Sequence, residues 1–171
     1  GPSDVDEDGI PDPLDVLIGG HKTVLNGASY GGGYQKLAYP WGDMPREQGV
    51  CTDVVVRALR NAGVDIQSEL QEDIKRKPGA FPMVKKRNPN IDHRRVKTLL
   101  PYFKRQYQAY STSLEDASDP YRPGDIIFMD TFPRRTGPDH IGVTSNTIGP
   151  SGLPLVINNW TNGSQTAELD L

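Results

Sequence analysis

Three residue types that together can carry out nucleophilic amide chemistry occur at separated points of this chain: Cys51, His140 and the pair Asn158-Asn159. Cys51 is the only cysteine in 171 residues and follows Gly49-Val50 at the opening of a helical pattern. A helix N-terminus presents unpaired N–H groups and the positive end of the macrodipole, and both favour the thiolate, which is the nucleophilic form. Against this, a lone cysteine on an apolar helix is more often a small core residue. His140 opens a β-type run after the turn Gly137-Pro138-Asp139, where it can project from a sheet edge towards the cysteine helix. An ordinary surface histidine at a strand entry is the plainer alternative. Asn158 and Asn159 follow the apolar Val156-Ile157, and amides buried there need partners. One of them can orient an imidazole, the third role of a cysteine–histidine triad. Spacing does not choose between them, because neighbours on a strand face opposite sides.

A second chemistry is written at the start. Asp4, Asp6, Asp8, Asp12 and Asp15 supply oxygens at loop positions one, three, five, nine and twelve, with Gly9 at the sharp sixth position and the Ile10 carbonyl at the seventh. This is the hard-oxygen pattern of a calcium loop. It departs from the EF-hand form by ending in Asp15 instead of Glu, and Asp12-Pro13 disfavours a helix directly after it. The segment resembles the calcium-binding repeats of thrombospondin type 3, which are usually extracellular. A flexible acidic linker is the competing description. Any calcium held here is expected to be structural, and the hydrolytic chemistry itself needs no cofactor.

Composition narrows the field. The formal charge of −3 conceals a division: residues 1–15 hold six of the 22 acidic residues and none of the 19 basic ones, so the rest of the chain carries +3. Eleven of the bases fall in Lys75–Arg105 beside a single acid, Asp92. Such density attracts anionic polymers. No nucleic-acid motif accompanies it, so nucleic acid is not expected as a partner. One cysteine excludes an intrachain disulfide framework and a Cys-rich metal site. No apolar run approaches the roughly 20 residues that span a bilayer. Gly1-Pro2 resembles the remnant of tag cleavage, so a signal peptide is expected to have been removed.

The positioning elements follow from periodicity. Leu14–Leu25 reads as a helix that contains Gly19-Gly20, and Asn26–Gly33 as a loop. A helix from near Gly49 to Ala62 carries Val50, Val54, Ala58, Leu59 and Ala62 on one face, with Gly63 as its stop. Its run Val54–Val56 lowers helix propensity, so packing must hold it. Further helices are expected over Ile66–Lys75 and from about Asp92, the latter kinked or broken at Pro101. After Pro123-Gly124, three short β-type runs follow at 125–130, 140–145 and 153–160. Helices first and a strand meander afterwards predict an α+β fold. The organisation expected is a leader over residues 1–15 and one domain over 16–171.

Tyr39-Pro-Trp-Gly-Asp43, Gly49-Val-Cys51-Thr-Asp-Val-Val-Val-Arg57-Ala, Asn90-Ile-Asp-His93-Arg-Arg95-Val, Arg122-Pro-Gly-Asp125-Ile and His140-Ile-Gly-Val occur in the order of a known family. They resemble domain of unknown function 1287, which in turn is similar to the NlpC-type papain-like superfamily of bacterial cell-wall peptidases and amidases. The resemblance implies a papain-like fold whose catalytic cysteine opens a helix packed on a C-terminal antiparallel meander. It implies Cys51 as nucleophile, His140 as base and Asn158 as orienting residue, although relatives often have His-Asn where this chain has Asn158-Asn159. Tyr34, Tyr39, Asp53, Arg57, His93, Arg94 and Asn159 become candidates for substrate contact, with a buried supporting network as the alternative for Asp53 and Arg57. For His93 and Arg94, a mainly structural or cleft-lining role is favoured. The activity implied is cleavage of an amide in the peptidoglycan stem peptide or at its sugar junction, by a secreted or periplasmic monomer bound to cell-wall polymer. An acyltransferase on the same scaffold and a non-catalytic wall-binding module are the rivals.

Overall fold

The computed structural model describes residues 3–171, so Gly1-Pro2, expected to stem from tag cleavage, lies outside the described residues. Four helices precede a four-stranded sheet: α1 (Asp12–Asn26), α2 (Cys51–Asn61), α3 (Ile66–Arg76) and α4 (Val96–Gln106). Two-residue strands β1 (Ser29–Tyr30) and β2 (Gln48–Gly49) pair in parallel ahead of α2. The main sheet is an antiparallel meander in the order β3 (Ile126–Met129), β4 (His140–Ile148), β5 (Pro154–Asn158) and β6 (Ala167–Leu169). The α+β class follows from this arrangement. Strands β1, β2 and β6 were not anticipated.

Three local expectations are corrected. Asp12-Pro13 does not delay the helix: α1 starts at Asp12, with Pro13 in its first turn. The N–H groups there have no helical partner to lose, so a proline is tolerated. Gly19-Gly20 lies inside α1, in the segment where a helix was expected. A Cβ at Gly19 would sit 2.6 Å from the Ala58 carbonyl oxygen, and one at Gly20 would sit 3.0 Å from Ile157 Cδ1. The glycines therefore let α1 approach both α2 and β5 closely. Pro101 does not break α4, which continues to Gln106 and buries Leu99, Tyr102 and Phe103 around the proline. A 3-10 turn at Asp92–Arg94 occupies the point where that helix was expected to begin.

α2 stands at the centre. Val54, Val55 and Val56 are all buried, so contacts on every side offset the low propensity of this β-branched run. Its apolar face shares one core with Val16 and Leu17 of α1, Ile66 and Leu70 of α3, Leu99 of α4, and Ile141, Val143 and Ile157 of the sheet. The register sets Met129 opposite His140, Val143 opposite Ile157 and Asn158 opposite Ala167. The first residue of β4 and the last of β5 thus lie at one end of the sheet, where α2 begins.

Candidate active site

Cys51 is the first residue of α2 and is half-buried. The preceding Val50 is extended, and Asp53 closes the turn: its Oδ2 accepts the Val50 N–H at 2.8 Å while its own N–H donates to the Val50 carbonyl at 3.0 Å. This is the side-chain arm of a capping box, with Asp in the third helical position. The Cys51 thiol rests against the backbone of Ile141, the residue after His140. Burial pushes the thiol up to about 11, and the charge of Asp53 adds to the effect. Backbone N–H groups of Ile141, Thr52 and Cys51 itself favour the thiolate but are outweighed. The expectation of a depressed thiol is corrected here, since desolvation exceeds what the helix start supplies. In the free protein Cys51 is a neutral thiol.

His140 is 5% exposed, and its Nε2 lies 3.0 Å from Asn158 Oδ1. The orientation of that amide is set on its other side, where Nδ2 donates to the Val156 carbonyl at 3.0 Å. With Oδ1 as the acceptor, Nε2 carries the proton and Nδ1 is left as the basic nitrogen. Trp160 stands edge-to-face against the imidazole, ring centroids 4.8 Å apart. Burial holds the His140 imidazole below its ordinary pKa, while Asn158 and Asp139 pull it upward. Among the described residues no hydrogen bond joins the thiol to the imidazole. In catalytic pairs such contacts often tighten only when substrate is bound.

Sequence reasoning missed two residues that shape this end of the sheet. Trp160 was overlooked because an aromatic two positions beyond the asparagine carries no catalytic signature by itself. Asp139 immediately precedes His140, and its carboxylate accepts the Thr131 N–H at 3.1 Å, the Thr131 hydroxyl at 2.5 Å and the Phe132 N–H at 3.1 Å. It closes the loop between β3 and β4 on itself and so fixes where β4 starts. The signal was the Pro-Asp turn before His140.

The residues expected to touch substrate divide into groups. Asp53 and Arg94 meet each other as a forked, buried ion pair at 2.8 and 3.0 Å, both side chains no more than 3% exposed. Thr52 Oγ1 donates to the Arg94 carbonyl, which ties the 3-10 turn to the start of α2. Arg57 donates to the Asp43 carboxylate and to the carbonyls of Met44, Pro45 and Gln48, organising the loop that leads to β2. These three side chains are engaged with partners inside the protein, as the supporting-network alternative expects. His93 is buried, its Nδ1 has no partner, and burial lowers it to about 4. Asn159 is turned away from His140, donating to the Ala28 carbonyl at 3.0 Å and to Thr166 Oγ1 at 3.3 Å. Tyr39 and Tyr34 are exposed, and the Tyr34 hydroxyl accepts from Asn88 and Asn90. A groove of about 470 Å³, lined in part by Ser29, Tyr30, Ser164, Gln165, Thr166 and Ala167, does not include Cys51, His140 or Asn158.

The leader is folded. Asp12 N–H donates to the Ser3 carbonyl at 2.7 Å, Asp12 Oδ1 accepts the Val5 N–H at 2.8 Å, and Asp8 Oδ1 accepts the Ile10 N–H at 2.8 Å. Carboxylate oxygens of Asp4, Asp6 and Asp8 lie within 4.8 Å of one another, and Asp15 is buried beneath them in α1. No described helix is long and apolar enough to cross a membrane.

Comparison with known proteins follows the same span. A family profile described as "Domain of unknown function (DUF1287)" matches residues 18–170. A protein of Escherichia coli (strain K12), carrying the name "Uncharacterized protein YijF", is 38% identical over 159 residues, covering 91% of this chain and 75% of that protein. No solved structure matches the chain significantly.

Proposed function

The chain belongs to the DUF1287 family, and from that premise we propose that it is a papain-like cysteine hydrolase of the bacterial cell wall, acting on peptidoglycan outside the cytoplasm. The observation that carries this reading is the imidazole of His140, held by Asn158 through Nε2 at the strand end against which the helix-opening Cys51 packs. An ordinary core cysteine has no need of such an arrangement.

In the proposed reaction, His140 Nδ1 takes the thiol proton as Cys51 Sγ attacks an amide carbonyl. The Cys51 N–H, one of the unpaired donors of the helix start, supports the oxyanion. Collapse breaks the C–N bond, the amine leaves with the proton from His140, and a thioester remains. Water then attacks the thioester, giving its proton to His140, and the carboxylate product departs as the thiol is restored. Because the resting thiol is neutral, the base must act during attack instead of beforehand. Exposed bases between Lys75 and Lys104 offer counter-charge to a wall polymer bearing free carboxylates and phosphates.

The raised thiol and its distance from any imidazole hydrogen bond favour a second reading, a wall-binding module in which Cys51 only packs. Digestion of purified sacculi by the wild-type protein and by Cys51→Ala, with fragments identified by mass spectrometry, separates them. New amine termini from the wild type alone support the hydrolase and identify the bond, whereas products in which another amine replaces water indicate acyl transfer. Empty profiles across several wall chemotypes, with wall binding retained by both proteins, overturn it in favour of the module.

A further inference from the structure

The residues of the leader belong to no part of the proposed reaction, yet they converge. Asp4, Asp6 and Asp8 bring carboxylate oxygens within 4.8 Å of one another. Asp4 Oδ2 accepts the Gly9 N–H at 3.0 Å, Asp6 Oδ1 the Asp8 N–H at 3.4 Å and Asp8 Oδ1 the Ile10 N–H at 2.8 Å, so the second oxygen of each stays out of these bonds. Asp4 Oδ1 is buried without a partner.

The independent observation is Asp15. It is 2% exposed on the first turn of α1, its Oδ2 has no hydrogen-bond partner, and the charges that act on it are the carboxylates of Asp8, Asp6, Asp4 and Asp12. Among the described residues no ion pair reaches any of these five acids. A buried carboxylate facing four others is costly unless a cation sits between them.

We propose that the leader and the first turn of α1 form a calcium site, with Asp4, Asp6 and Asp8 facing the ion from the loop and Asp12 and Asp15 closing it from the helix. The donors are hard oxygens throughout, without a histidine or a thiol, which excludes preference for zinc or copper. A flexible loop of carboxylates suits the larger, more loosely coordinated calcium better than magnesium, which demands near-octahedral geometry and keeps its waters. The ion would act as a clamp. Asp6 lies against Gly63 beyond the end of α2, Asn61 Nδ2 donates to the Asp15 carbonyl at 2.9 Å, and the Pro13 backbone lies against Gly124 ahead of β3. The loop thus joins the start of α1 to the far ends of two elements that carry or precede the candidate active site.

The test is calorimetric titration of the whole, chelator-treated chain with calcium chloride, then with magnesium chloride, alongside melting curves in calcium, in chelator and in sodium chloride of matched ionic strength. The expected result is one calcium per chain, magnesium weaker by roughly tenfold or more, and a higher Tm in calcium that the sodium salt does not reproduce. Asp8→Asn, at an exposed position, and Asp15→Asn should each weaken calcium binding by roughly tenfold or more. With repulsion removed, Asp15→Asn should also melt above the wild type in chelator, a result that a merely misfolded variant cannot give. A flat calcium titration with unchanged Tm overturns the proposal, as does an effect that sodium or magnesium reproduces equally.

Discussion

His140 has one ring nitrogen committed to Asn158 and the other left basic, and this division is the chemical content of the candidate site. Asn158→Ala should lower turnover on sacculi by roughly tenfold or more, because the imidazole loses its preferred tautomer and orientation. Substrate binding should change little, and steady-state kinetics distinguishes the two. Trp160 contributes differently. Removing it in Trp160→Ala admits water to the ring, so the His140 pKa should rise towards its ordinary value, as NMR titration would register. The thiol gives a third measurement. Alkylation of Cys51 by iodoacetamide should be slow at neutral pH and accelerate as pH approaches about 11. A rate already at its plateau near neutrality would mean a thiolate stabilised more strongly than burial opposes it.

The start of α2 depends on an ion pair whose partners come from different elements. Arg94→Met leaves the Asp53 carboxylate buried and uncompensated, and should cost about 3–5 kcal/mol in urea unfolding. Adding Asp53→Asn to that variant should recover part of the loss, since the stranded charge disappears. Such pairing explains what could be read from residues alone. The apolar period of α2 and the position of Cys51 at its first turn were legible, because both are local. The short β-type runs between turns that mark β3, β4 and β5 were legible for the same reason. The partners of Asp53, Arg57 and Arg94 were not, since a charged residue's partner is chosen by tertiary proximity and leaves no spacing rule behind. The choice of Asn158 over Asn159 also required the register between strands. Gly19 and Gly20 could be read as part of a helix but not explained, because their reason lies in α2 and β5 and not in α1 itself. Strands of two or three residues are too short to show any period, which is why β1, β2 and β6 were invisible.

Taken whole, the molecule holds His93 neutral in its interior among Asp53, Arg94, Asp65 and Arg60. Its folded pKa of about 4 lies below the ordinary 6.5, so the unfolded chain binds the proton more readily. The stability it contributes is full above about pH 6.5 and lost as pH falls towards 4, about 3 kcal/mol in all. Chemical denaturation at a series of pH values should show this slope, and His93→Gln should flatten it. The path of the chain has a further consequence. α1 and α2 bury their apolar faces against β4 and β5, and His140 and Asn158 are carried by those two strands. A polypeptide emerging from a ribosome therefore presents Cys51 long before His140. Until the last strands arrive, Cys51 lacks both the burial that opposes its thiolate and the imidazole of the proposed reaction, so the order of synthesis keeps the two groups apart in time.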